Sequence, residues 1–113
     1  VAESKRRATC RVYQAESPED FAGLNELWST VYGEECGWLE PGGTMMHKDR
    51  YDPYATYLMA TVDDELVGTM RLVADSPEGL PVEQFVPITD LRGDRRLIEC
   101  QRLMILPRQR NRR

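Results

Sequence analysis

"YATYLMATVDDELVGTMRLVA", residues 54–74, is the stretch that decides the fold class. Its two halves, "YATYLMATV" (54–62) and "LVGTMRLVA" (66–74), are rich in β-branched, aromatic and apolar residues. Only "DDE" separates them, which is room for a tight turn and nothing else. Two strand-like runs joined so closely read as an antiparallel hairpin.

Working outward, "TCRVYQA" (9–15) alternates and reads as a first strand, and "SPEDFAGLNELWSTVYGEE" (17–35) reads as a helix. Ser17 suits the N-cap, Pro18 the first helical position, and Glu19 and Asp20 the positive helix end. Phe21, Leu24, Leu27, Trp28 and Val31 recur at helical spacing. Gly33 or Gly37 would end the helix. "GWLEPGGTMMHKDRYDP" (37–53) reads as a long loop. A further loop region, 75–94, has room for a short helix near Val82 to Phe85, and "RRLIECQRLMIL" (95–106) reads as a buried last strand ended by Pro107. The order β, α, β, β, loop, β predicts an α+β fold: a mostly antiparallel sheet with flanking helices, one domain over 1–113.

Composition bounds the function. A 41% hydrophobic and 30% charged chain of 113 residues reads as a small globular domain. It has no long apolar run for a membrane span and no apolar signal-peptide core at its start. Cys10, Cys36 and Cys100 are odd in number and without CxxC spacing, which argues against a disulfide framework or a zinc site and for the cytoplasm. One histidine, His47, gives little material for a metal site, and no metal is expected. The formal net charge is −4, yet "RQRNRR" (108–113) holds four arginines and no acid. An acidic body argues against a general nucleic-acid surface and permits a local anion site at the end, or a solvated terminus.

Three charges stand inside apolar strands. Arg71 shares a strand face with Val67, Thr69 and Val73, and a guanidinium there needs an anion. Asp49 and Asp52 are the nearest candidates, since their loop leads into the paired strand. The set is either a fold-holding salt bridge or a pair of carboxylates oriented for a cationic or amine-bearing substrate. Glu99 and Arg102 sit in the last strand, three apart and so on opposite faces of a regular strand. Either a β-bulge turns both to one side, over a site, or each pairs structurally with a neighbour. Trp38 and Phe85 are aromatic walls or ordinary core.

Five segments in order, "VYGEECGW" (31–38), "DRYD" (49–52), "LVGTMRL" (66–72), "LPVEQF" (80–85) and "IECQRLMI" (98–105), resemble the acyl-homoserine-lactone synthases and the long-chain N-acyl amino acid synthases. Both belong to the GCN5-related N-acyltransferase superfamily. The resemblance runs from about residue 27 to residue 107. It implies an acyltransferase that moves an acyl group from an acyl thioester, on acyl carrier protein or coenzyme A, to an amine or amino-acid acceptor, with no bound cofactor. It implies an acceptor pocket lined by Tyr32, Trp38, Asp49, Asp52, Arg71, Phe85 and Arg102, a general base at Glu99, and a strand bulge beside it. Two positions depart from the lactone synthases. Trp28 stands where they have an arginine, and His47 where they have an acid, which moves the reading away from S-adenosylmethionine and toward amino-acid acceptors. Arg108, Arg110, Arg112 and Arg113 fall where donor phosphates or an acidic carrier would bind, although Arg113 replaces an expected glycine. The resemblance implies the N-terminal part of the fold, truncated after the last strand. The alternative reading is a non-catalytic module that binds an acyl carrier or small ligand.

Overall fold

A computed structural model describes residues 7–39, 46 and 48–110. Strand β1 is Cys10–Gln14, helix α1 Pro18–Trp28, β2 Ala55–Val62, β3 Glu65–Ala74, helix α2 Thr89–Arg92 and β4 Ile98–Ile105. Short 3-10 turns lie at Asp52–Tyr54, Pro81–Gln84 and Pro107–Gln109. The strands form one sheet in the order β1-β2-β3-β4, and each pair is antiparallel. The expected hairpin and α+β architecture are both present. No described helix is long and apolar enough to cross a membrane.

Local chemistry explains the elements. Asp63 and Asp64 close the hairpin with φ of 48° and 66°, the mirror-image turn whose twist matches the flanking strands. Ser17 caps α1 in a reciprocal box. Its Oγ accepts from Asp20 N–H at 3.1 Å, and Asp20 Oδ2 accepts from Ser17 N–H at 3.2 Å. The helix does not stop at Trp28. It loosens into a π-helical segment, Ser29–Glu35, and ends near Gly37, whose φ is +67°. Of the two glycines, Gly37 is therefore the terminator.

One sheet face carries two apolar clusters. Leu24, Leu27, Trp28 and Val31 of the helical segment pack on Met59 and Met104, while Tyr51, Val73 and Leu80 form a second cluster toward the other end. Between them, on the same face, lies Arg71. The opposite face presents Val12, Leu58, Met70, Leu103 and Ile105 in a shallow groove of about 190 Å³. This corrects the reading of the last strand as buried. Only Met104 is enclosed, while Ile98 and Leu103 are 64% and 59% exposed. An apolar run signals two apolar faces but says nothing about whether both are covered.

Loss of the reciprocal cap should be measurable. Ser17→Ala is expected to lower stability by about 1 kcal/mol in a denaturant melt, with the denaturant slope unchanged.

Candidate functional site

Arg71 is 1% exposed, and every guanidinium N–H has an acceptor. Nε donates to Gln101 Oε1 at 2.7 Å, Nη1 to Asp49 Oδ1 at 2.9 Å and to Asp52 Oδ1 at 3.2 Å. Nη2 donates to Asp49 Oδ2 at 2.9 Å and also to Gln101 Oε1. The contact with Asp49 is thus the bidentate fork that a planar guanidinium matches best. The same two aspartates shape the loop that carries them. Asp52 Oδ2 accepts Asp49 N–H at 2.6 Å, and Asp49 Oδ1 accepts Tyr51 N–H at 3.0 Å. Tyr57, directly across the hairpin from Arg71, donates its hydroxyl to Asp52 Oδ1 at 2.6 Å. The Arg71 guanidinium holds the Asp49 carboxyl below its usual range. Burial first, and then the bond to Asp52, push the Tyr57 phenol up.

The bulge expected in the last strand is present. Between the pairs Thr69↔Met104 and Arg71↔Gln101, β4 carries Arg102 and Leu103 against the single residue Met70. Arg102 has φ of 52°, a left-handed backbone in a non-glycine residue. The kink brings Arg102 to the Arg71 side, where its Nη2 donates to Asp49 Oδ2 at 3.3 Å. Its guanidinium also lies 5.3 Å from the Trp28 ring centroid. Glu99 sits on that face too. Its Oε1 accepts Val82 N–H and its Oε2 accepts Gln101 Nε2, each at 2.7 Å.

Aromatic side chains border the network. Trp28 and Tyr32 meet edge to face at 4.8 Å, and Trp38 lies tilted on Tyr32 at 5.4 Å. The Tyr32 hydroxyl donates to the Leu103 carbonyl, at the bulge, at 3.2 Å. Burial raises the Tyr32 phenol above its usual range. The π-helical segment carries Tyr32 to that point, and such local unwinding is common at functional sites. On the far side of Asp52 lies a cavity of about 420 Å³, bordered by Phe21, Asn25, Met46, Lys48, Asp52 and Tyr57. Among the described residues Lys48 forms no ion pair.

The structure therefore joins Asp49, Asp52, Arg71, Glu99 and Arg102 in one network. It sets the other expected residues apart from it. Trp38 is 73% exposed and Phe85 is 84% exposed, so neither is core. Arg108 pairs with Glu65, and Arg110 pairs with Glu35 and donates to the Ile105 carbonyl at 3.0 Å. Arg112, Arg113 and His47 lie outside the described residues. Gln101 and Tyr57 are the two network members that the sequence reading missed. Counting back from the turn pairs Arg71 with Thr56, but the bulge at Ala60/Thr61 shifts the register to Tyr57. Nothing local in the sequence announces that bulge.

Replacing Arg71 removes the bidentate partner of Asp49 and the cation beside Asp52, two half-buried carboxylates left with Arg102 and the Tyr57 hydroxyl. Arg71→Met is expected to cost about 3 kcal/mol of stability. The pH dependence has a definite sign. A lowered Asp49 pKa contributes stability above the ordinary aspartate range, and that contribution is lost as pH falls through the lowered value. Thermal melts from neutral to about pH 3 should show the parent losing stability on acidification, with a shallower acid loss in Arg71→Met.

Comparison with known proteins bears on this geometry. The model of the N-acyl amino acid synthase FeeM family matches residues 24–113. No curated protein matches. Among solved structures, FeeM, an N-acyl amino acid synthase from uncultured soil microbes, is similar with a TM-score of 0.63 at 19% identity. The match covers 88% of this chain and 53% of that one, so the chain spans about half the length of this solved relative. The chain belongs to the FeeM family of N-acyl amino acid synthases.

Proposed function

We propose that this chain supplies the acceptor side of an N-acyltransferase that joins an acyl group to the amine of an amino acid. The observation that carries the reading is the face on which Arg71 fixes Asp49 and Asp52 while Glu99 is held by Val82 and Gln101. A charged network of this kind is costly to bury, and carboxylates gathered on one face in this way are candidates for a ligand site. Family membership names the chemistry that suits it.

The reaction needs a deprotonated amine beside an acyl thioester carried by coenzyme A or acyl carrier protein. Glu99 takes a proton from the ammonium, directly or through water. The amine attacks the thioester carbonyl, the C–S bond breaks, and the departing thiolate takes up the second proton that the nitrogen sheds as the amide forms, leaving as a thiol. Asp49 and Asp52 attract the positively charged acceptor. Arg71 has every donor engaged, so its part is to hold the carboxylates and not to bind the acceptor itself. Arg102, paired with Asp49, and the exposed rings of Trp38 and Phe85 border the bound molecules. Arg108, Arg110, Arg112 and Arg113 meet the donor phosphates or an acidic carrier, with Arg108 and Arg110 exchanging their present glutamate partners. No resident cofactor enters this scheme. Three free thiols fit a reducing cytoplasm.

Full-length protein incubated with acyl thioesters and an amino-acid pool should yield N-acyl amino acids detectable by mass. Binding of the thioester without product would establish the non-catalytic module instead. Glu99→Gln is expected to lower turnover about 100-fold with the fold intact, read by circular dichroism and product formation.

A further inference from the structure

Among the described residues, Glu99 is joined to the rest of the network by one side chain, Gln101. The two lie on the same face of β4, with Glu99 opposite Val73 and Gln101 opposite Arg71. Gln101 Oε1 accepts from Arg71 Nε, and Gln101 Nε2 donates to Glu99 Oε2, both at 2.7 Å. An amide has an accepting end and a donating end, and its orientation follows from its partners. Arg71 can only donate, so the amide oxygen must face it. The NH₂ group is then left to face Glu99, whose carboxylate can only accept. A reversed amide would set donor against donor at one end and acceptor against acceptor at the other.

Arg71 is itself immobilised, 1% exposed and bidentate to Asp49. Orientation therefore passes from Asp49 to Arg71, from Arg71 to Gln101, and from Gln101 to the second oxygen of Glu99. The first oxygen is held by Val82 N–H at 2.7 Å. A glutamate on a strand otherwise keeps its rotamer freedom, and both oxygens must be restrained to aim it.

We propose that Gln101 is a positioning residue for the acyl transfer, fixing the carboxylate of Glu99 while touching no substrate. The inference rests on the reading of Glu99 as the base. It also gives buried Arg71 a second purpose, which is to lock the amide that aims that base.

The test is a double-mutant cycle in the full-length protein. Gln101→Glu keeps the length of the side chain and an oxygen for Arg71, and replaces the donor to Glu99 with a second carboxylate. Its kcat should fall about tenfold or more, with KM for donor and acceptor changed less than about twofold. Gln101→Met, which adds no charge, should lower kcat in the same direction. In the Glu99→Gln background, adding Gln101→Glu should change turnover by less than about twofold, because the residue acts through Glu99. A multiplicative loss on that background would overturn the proposal, since a structural effect does not depend on Glu99. Parent-like kcat in both Gln101 variants, or a rise in KM at unchanged kcat, would overturn it as well. The two readings fail differently. Glu99→Gln with parent-like turnover removes the base and this inference together, whereas an inactive Glu99→Gln with a multiplicative Gln101 effect removes this inference alone.

Discussion

The burial of one guanidinium organises this molecule. Arg71 lies at the middle of a sheet face whose two ends are apolar clusters, so its charge is removed from water on every side. A cation in that place is tolerable only if its donors are met by fixed acceptors. Asp49, Asp52 and Gln101 meet them. The loop before β2 is consequently not free to take any path. It must return its two aspartates to the sheet, and the 3-10 turn at Asp52–Tyr54 follows from that return. Fold and candidate site share the same set of bonds here.

The bulge in β4 is the second constraint. A regular strand would send Arg102 to the uncovered face, away from Asp49. One extra residue, with Arg102 in a left-handed backbone, places it above Trp28 and beside Asp49 instead. The π-helical segment after α1 supports this arrangement from the opposite side, since Tyr32 hydrogen-bonds the Leu103 carbonyl that the bulge displaces. Two local irregularities, each costing regular backbone pairing, thus meet at one point. Irregularities that meet in this way are expected where geometry serves a ligand more than it serves stability.

Much of the framework was legible beforehand because it rests on short-range chemistry. The hairpin at 54–74, the Ser17 cap and the β, α, β, β, β order follow from alternation, turn length and capping, all of which act within a few residues. The charged partners of Arg71 were also legible, since a guanidinium in an apolar strand demands anions and the nearest acids lay one loop away. Gln101 and Tyr57 were not. A neutral amide and a phenol in strands carry no such demand, and their roles depend on register. The reading of β4 as buried went astray for a related reason, because a strand's sequence shows which residues are apolar and not what stands over them.

The amino-acid sequence by itself determined the four strands, the first helix, the antiparallel hairpin, and the need for Arg71 to find carboxylates, while helix α2 fell in a stretch read as loop. Its ordered segments also determined the family. The tertiary structure alone decided which side chains meet. Register shifts at Ala60/Thr61 and at Thr69/Arg71 set Tyr57 and Gln101 against Arg71 and turned Arg102 toward Asp49. The physical reason is that a bulge is a choice made between strands. It depends on how two chains far apart in sequence fit together, and a single residue of offset exchanges every side chain from one face to the other.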